Sequence, residues 1–302
     1  MKKVLLFLAT QKGYEVLKTM VNSYCENIAA VVSFDEIGVM KNWRYDIENI
    51  SNEYGIPFYL WKDVKNNILQ VVKDTEATSS ICISWRYLIP ISINEYLEDK
   101  LIIFHDSLLP KYRGFAPVVT AMLCGEKEIG ATAIFADDTI DTGEIISQKS
   151  LFIDENDYIE DVIIKMTGVY IELLKYVMKN IIANSLKSVK QDEKNATYSI
   201  WRDEEDYWID WNWSATKINT YVHALGYPYK GAKTRMDNQE IRILKCSIES
   251  DVDFCIRNPG KIWRLDKNNP VIVCGDGLLK LEKVVDENGN EIKFTKIRSR
   301  MG

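Results

Sequence analysis

Short continuous apolar runs alternate with segments of helical spacing along the first half of the chain. Val4–Ala9 is such a run and reads as a strand buried on both faces. Tyr14–Tyr24 carries helical spacing, and Ala29–Phe34 is the next strand candidate. Tyr45–Tyr54 reads as a helix ending before Gly55, and Pro57–Leu60 as a strand. A helix over Val64–Lys73 follows, then strands at Ser79–Ser84 and Leu101–His105. Gly114–Gly125 contains a helix, and Ala131–Ala136 and Glu144–Lys149 supply two more strands. This order predicts the α/β class: an open, doubly wound, mostly parallel sheet with helices on both faces and right-handed crossovers. Asp157–Asn184 is long, periodic and acidic at its start, so a helix closes the domain.

The pattern then changes. Ser185–Asn195 is polar and charged, and it is the best linker candidate. Beyond it, Ser214–Leu225 reads as one helix with Ser214 as N-cap. The rest is short β-like runs, Ile241–Leu244, Gly260–Arg264, Val271–Cys274 and Leu278–Val285, with Asp276-Gly277 and Asn288-Gly289 as turn dipeptides. A smaller, β-barrel-like C-terminal domain is expected. The predicted division is a catalytic domain over 1–186, a linker over 187–199 and a β-rich domain over 200–302.

Composition narrows the function classes. The chain has 302 residues and a net charge of -6, with no basic stripe of the kind nucleic acid requires. Lys293, Lys296, Arg298 and Arg300 cluster near the C-terminus, but Asp286, Glu287 and Glu291 precede them, so the cluster reads as a solvated face. Neither a nucleic-acid nor a membrane partner is expected. The six cysteines form no C-x-x-C pair and match no zinc spacing, and Cys82 and Cys274 sit in apolar runs as small core residues. The N-terminal apolar run is short, lacks a cleavage site and meets Lys12 and Glu15 at once, which favours a first core strand over a signal peptide. The expected compartment is the reducing cytoplasm.

Two histidines are present, His105 and His223. His105 stands where a strand ends and a loop begins, the place where parallel sheets bind ligands. An imidazole there can relay protons near neutral pH; on position alone, a histidine closing a loop fits equally well. Ala136–Glu144 is rich in Asp, Thr and Gly. A carboxylate from it can orient His105, although such loops are often plain turns. G-x-S-x-G, P-loop and G-x-G-x-x-G motifs are absent. The residues alone therefore lead to an α/β enzyme with a His/Asp site.

A resemblance goes further. The run from His105 to Gly114 (His-Asp-Ser-Leu-Leu-Pro-Lys-Tyr-Arg-Gly) is followed by Pro117, Gly125-Glu126, Gly130-Ala-Thr132, Ile140-Asp-Thr-Gly143 and Gln148. That ordered set resembles the folate-dependent formyltransferase family. Arg202–Asp206, Ile209-Asp-Trp211, Ser214-Ala215, Ile218, Ala224 and Pro228–Ala232 look like the C-terminal domain shared by methionyl-tRNA and sugar N-formyltransferases. The resemblance implies a Rossmann-like catalytic domain, an OB-like second domain and N10-formyltetrahydrofolate as formyl donor; no metal is expected, since the sequence holds no ligand cluster of suitable spacing.

It also implies roles. His105 matches the catalytic histidine and Asp141 its partner. Ser84, Trp85, Arg86, Tyr87 and Leu88 match one wall of the folate pocket, which acts largely through backbone groups, and Ala136, Asp137 and Ile140 match the other wall. Ser107, Lys111, Arg113 and Lys12 are the expected substrate contacts. His223 takes a place where the family often has arginine and is expected to be structural or a surface group. One position departs from the pattern. Two residues before the histidine the family usually has asparagine, which donates to the formyl oxygen; here Ile103 stands there. Losing one such donor typically costs about 3 kcal/mol of transition-state stabilisation unless another group replaces it.

For the acceptor, the segment Phe34–Tyr45 matters. In methionyl-tRNA formyltransferases the corresponding insertion is basic, whereas here it is short and balanced in charge. A nucleotide-linked amino sugar, with dTDP as the expected nucleotide, is therefore the favoured partner. Initiator methionyl-tRNA is the alternative, and a folate- or nucleotide-binding relative without catalysis is a third reading. A homodimer is compatible with the resemblance.

Overall fold

Five parallel strands form the centre of the N-terminal half. In chain order the elements are β1 (Val4–Leu8), α1 (Thr10–Tyr24), β2 (Ile28–Ser33), α2 (Arg44–Glu53), β3 (Phe58–Leu60), α3 (Trp61–Val64), α4 (Ile68–Asp74), β4 (Ser79–Ile83) and β5 (Leu101–His105). They continue with β6 (Arg113–Gly114), α5 (Pro117–Leu123), β7 (Glu128–Phe135), β8 (Ile145–Phe152), α6 (Ile159–Ile182) and β9 (Tyr198–Ser199). The computed structural model describes residues 1–37 and 41–302. It divides into two units, of which the first comprises Met1–Val118, Glu128–Phe152 and Ile164–Ile200.

The main sheet has the order β3-β2-β1-β4-β5-β7-β8. Strands β3 to β5 run parallel, while β7 and β8 join antiparallel. Every residue of β1, β2 and β4 is buried; β1 accordingly reads as a continuous apolar run, while β4 is buried although it opens on Ser79 and Ser80. Edge strand β8 is half exposed and carries polar residues. The direction of strand addition reverses between β1 and β4, so the crevice beyond their carboxyl ends is the natural ligand site.

Some expectations shift. The helix expected over Val64–Lys73 is two pieces, α3 and α4, broken around Asn67, whose φ of -125° is not helical. Asparagine competes with the helix by local hydrogen bonding, so the break is physically reasonable. Residues 187–199, expected as a linker, lie against this unit: β9 pairs in parallel with β6, and Gln191 and Glu193 bind Arg113.

The second unit comprises Val119–Lys127, Ile153–Ile163 and Trp201–Gly302. Its helix α7 (Ala215–Ala224) begins at Ser214, whose Oγ accepts the Lys217 N–H at 3.2 Å. Five antiparallel strands follow: β10 (Ala232–Met236), β11 (Gln239–Glu249), β12 (Ile262–Asp266), β13 (Asn269–Val273) and β14 (Leu278–Asp286), ordered β10-β11-β14-β13-β12. The final residues bridge both edges, Met301 to Met236 on β10 and Arg300 to Lys261 beside β12, so the sheet is barrel-like. The turns at Gly277 and Gly289 have positive φ, as their Asp-Gly and Asn-Gly dipeptides suggest. Two further tight turns, Asp237-Asn238 and Lys267-Asn268, take positive φ at both residues without any glycine.

Candidate functional site

His105 is the last residue of β5 and is 7% exposed. Its Nε2 lies 2.8 Å from the Tyr112 carbonyl oxygen. Its Nδ1 faces Asp141 Oδ2 at 3.4 Å. That is longer than an ordinary hydrogen bond. The same Asp141 oxygen accepts the Gly114 N–H at 2.8 Å, which fixes the carboxylate's height over the ring.

Asp141 itself sits in the left-handed region, φ 58°. Its loop is held from both sides. Asp137 Oδ1 accepts the Thr142 hydroxyl at 2.7 Å and the Thr139 N–H at 3.1 Å. Gln191 Nε2 donates to the carbonyls of Asp141 and Gly143, each at 2.8 Å. Gly143 has no room for a side chain, because a Cβ would stand 1.7 Å from the Phe135 carbonyl oxygen. Gly114 combines φ 103° with a Cβ position 2.4 Å from the Ser199 oxygen. These glycines let the loops approach closely enough to bring Asp141 to His105.

The loop after His105 is tied down by residues the motif contains. Thr132 Oγ1 donates to the Ser107 carbonyl at 2.6 Å and accepts the Leu109 N–H at 3.1 Å. Gln148 Nε2 donates to the Leu109 carbonyl at 2.7 Å.

A cavity of about 400 Å³ opens beside the pair. His105, Asp141, the segment from Ser84 to Leu88, Ala136, Asp137 and Ile140 all line it, so ten expected site residues share one wall system. Trp85 packs edge-on against Phe7, Phe34 and Trp61 at 5.0–5.5 Å, an aromatic base for that wall. Arg86 reaches over the Phe34 ring and stands 3.7 Å from Glu36, a carboxyl that burial pushes above its ordinary value. Leu88 is 87% exposed at the rim.

The four expected substrate contacts do not line this cavity. Arg113 is buried and bidentate to Glu193 at 2.7 and 2.8 Å, with Gln191 completing its fork. A guanidinium so matched is an internal strut. Ser107 is buried and donates to the Lys111 carbonyl at 2.5 Å, while the Lys111 side chain is exposed. Lys12 is buried and paired with both oxygens of Asp106.

Asp106 and Tyr170 line the cavity and escaped the sequence reading. Burial alone raises a carboxyl, but Lys12, with help from Tyr170, overcomes this and holds Asp106 below the ordinary value. Tyr170, buried and beside that carboxylate, is pushed well above a free phenol. Tyr170 belongs to a periodic apolar helix and offered no local signal; Asp106 lay inside the motif with no signal of its own. Cys82 also lines the cavity, and burial together with the Asp141 charge raises its thiol, which keeps it an inert wall atom. His223 lies in the second unit, buried and stacked on Tyr158 at 4.1 Å between ring centroids. Among the described residues no helix is long and apolar enough to cross a membrane.

Comparison with known proteins places this geometry. The Formyl transferase profile matches residues 49–174, and that of the formyl transferase C-terminal domain matches 202–300. A methionyl-tRNA formyltransferase of Staphylococcus epidermidis is 31% identical over 251 residues, 82% of this chain and 80% of that protein. The fold is shared with WlaRD, a sugar 3N-formyl transferase solved with dTDP and 5-N-formyl-THF, at 20% identity and a TM-score of 0.69, covering 98% of this chain and 99% of that one. It is also shared with the N-formyltransferase of Helicobacter canadensis solved with folinic acid and dTDP-3-aminofucose, at 18% identity and a TM-score of 0.70, covering 93% and 99%. With both halves matched by its profiles and a relative this similar along four fifths of the chain, the protein belongs to the folate-dependent formyltransferase family.

Proposed function

We propose that this formyltransferase moves the formyl group of N10-formyltetrahydrofolate to the amino group of a dTDP-linked amino-deoxy sugar. The donor reading rests on the cavity. An aromatic base and a buried indole N–H, Trp85 Nε1, with no partner among the described residues suit a flat heterocycle rich in hydrogen-bonding groups.

The observation that carries the acceptor reading is the charge pairing after β2. Lys41 stands 3.3 Å from Asp46 Oδ1 and over the Trp43 ring. Arg44 is held between Asp35 and Glu48, and Lys62 lies 3.6 Å from Asp35. Cations already matched to carboxylates make a weak grip on a phosphate backbone. Gly38–Met40 of this segment lie outside the described residues. WlaRD, a sugar 3N-formyl transferase, and the N-formyltransferase solved with dTDP-3-aminofucose share the fold over nearly their whole length and support the same reading. The 31% identical methionyl-tRNA formyltransferase supports the alternative acceptor, initiator tRNA.

The mechanism follows from the pair. The neutral acceptor amine attacks the formyl carbon, and the carbonyl electron pair moves to oxygen. The resulting ammonium loses a proton, the folate N10 gains one, and the C–N10 bond breaks as the carbonyl re-forms. His105 relays the proton, and Asp141, anchored by Gly114, orients the ring and stabilises its charged form. Exposed Lys111 meets the substrate's phosphates, while Lys12, Ser107 and Arg113 hold the loop from behind.

The test is a comparison of kcat/KM for dTDP-3-aminofucose and for initiator methionyl-tRNA with the same formyl donor. The proposal expects the sugar nucleotide to be favoured by at least about 10²-fold. A preference for the tRNA would replace it with the alternative.

A further inference from the structure

Ile103 leaves the reacting carbonyl without the side-chain donor expected two residues before His105, so some other donor must face the developing oxyanion. The candidates near the site are mostly committed. Ser107 Oγ donates to the Lys111 carbonyl, Lys12 Nζ is paired with Asp106, and both His105 ring nitrogens already face oxygen acceptors. Among the described residues that line the cavity, two side chains carry a buried donor with no partner: Ser84 Oγ and Trp85 Nε1. Trp85 is packed among Phe7, Phe34 and Trp61, on the β1–β2 side.

Ser84 directly follows β4, which lies between β1 and β5. Strands β4 and β5 pair Cys82 with Ile103 and Ile83 with Phe104, so Ser84 and His105 are the next residues at the ends of neighbouring parallel strands. Cys82 and Ile103 share one face of the sheet, and His105 follows two residues later on that same face. Ser84 also has φ 54°, a left-handed backbone that disfavours any residue but glycine. A serine kept in a strained position, with its hydroxyl buried and unmatched, is a feature that stability alone does not explain.

We propose that the Ser84 hydroxyl is the catalytic donor to the formyl oxygen, taking the part of the amide that Ile103 cannot supply. The inference rests on the formyl-transfer reading above. A hydroxyl turns among three staggered positions, so it swings to an oxygen entering the cavity without moving the backbone. As the amine adds to the formyl carbon, the carbonyl π pair becomes an oxyanion lone pair that accepts the Ser84 O–H. When the C–N10 bond breaks and the carbonyl re-forms, that hydrogen bond weakens again. Ser84 keeps its own proton throughout, and His105 carries the proton between nitrogens.

The experiment uses the full chain with N10-formyltetrahydrofolate and dTDP-3-aminofucose, comparing wild type with Ser84→Ala and Ser84→Gly. Both variants are expected to lose about 10²-fold in kcat, with KM for both substrates changed less than about threefold. Ser84→Gly relieves the left-handed strain, so it should melt at or above the wild-type temperature while being slow, a combination that a purely structural role does not give. Adding Ile103→Asn to Ser84→Ala should restore at least about tenfold. With a stable formyl-folate analogue labelled at the formyl carbon, the bound carbonyl stretch should move to higher frequency in Ser84→Ala. Wild-type turnover in both Ser84 variants, with an unmoved carbonyl stretch, overturns the inference and leaves formyl transfer intact. No formyl transfer by the wild type, to the sugar nucleotide or to initiator methionyl-tRNA, overturns the functional reading and the inference together.

Discussion

Asp141 Oδ2 stands between His105 Nδ1, at 3.4 Å, and the Gly114 N–H, at 2.8 Å. One oxygen thus links the end of β5, the loop that follows it and the loop between β7 and β8. Asp141→Asn keeps the shape and, through its amide oxygen, the bond from Gly114, but it removes the charge that supports a protonated ring. Turnover is expected to fall by about 10²-fold, with KM for the nucleotide sugar little changed, in steady-state assays. A drop confined to KM would mean that Asp141 binds substrate instead.

The continuous burial of β1 and β2 made the centre of the sheet legible, because an apolar run of about five residues between turn signals is too short for a helix and too apolar for a surface loop. His105 was legible for a similar reason: the strand end sets its place. Contacts across long stretches of chain were not legible. Lys12 and Asp106 are 94 residues apart and Arg113 and Glu193 are 80 apart, so no local pattern reports either pair. Arg113 was expected as a substrate contact from its place in the motif, and nothing local points to Glu193. The turns at Asp237-Asn238 and Lys267-Asn268 were missed because they reach positive φ without the glycine that normally marks it.

Arg113 is expected to matter for stability more than for binding. Arg113→Ala removes a buried stem and the fork that joins β6 to Gln191 and Glu193. A loss of about 2 kcal/mol is expected in denaturant unfolding. KM for the acceptor should stay within about threefold; a tenfold rise without destabilisation would return Arg113 to the substrate.

His223 makes the stability pH-dependent. Burial lowers its pKa below the ordinary 6.5, although Asp157 and Asp161 oppose the shift. The folded state therefore binds fewer protons than the unfolded state. The neutral ring's contribution is intact above about pH 6.5 and is lost as pH falls from there through the folded pKa. Thermal melts from pH 7.5 to 5 should fall more steeply for wild type than for His223→Gln. Parallel curves would show that His223 takes up its proton equally in the folded and unfolded states, contradicting the shift.

The paired cations after β2 predict weak contact with RNA. Binding of initiator methionyl-tRNA is expected in the range of non-specific affinity, about 10⁻⁴–10⁻⁶ M near physiological salt, with a shallow slope against log salt. Submicromolar binding that weakens steeply with salt would contradict this.

Product mass tests the whole reading most directly. Wild-type protein, N10-formyltetrahydrofolate and dTDP-3-aminofucose should yield a sugar nucleotide heavier by CO, one amine hydrogen being replaced by formyl, together with tetrahydrofolate. His105→Asn under the same conditions should form that product at least about 10²-fold more slowly, with the nucleotide sugar still bound at near wild-type affinity. Formyl transfer to the sugar at near wild-type rate by the His105→Asn protein would contradict the account.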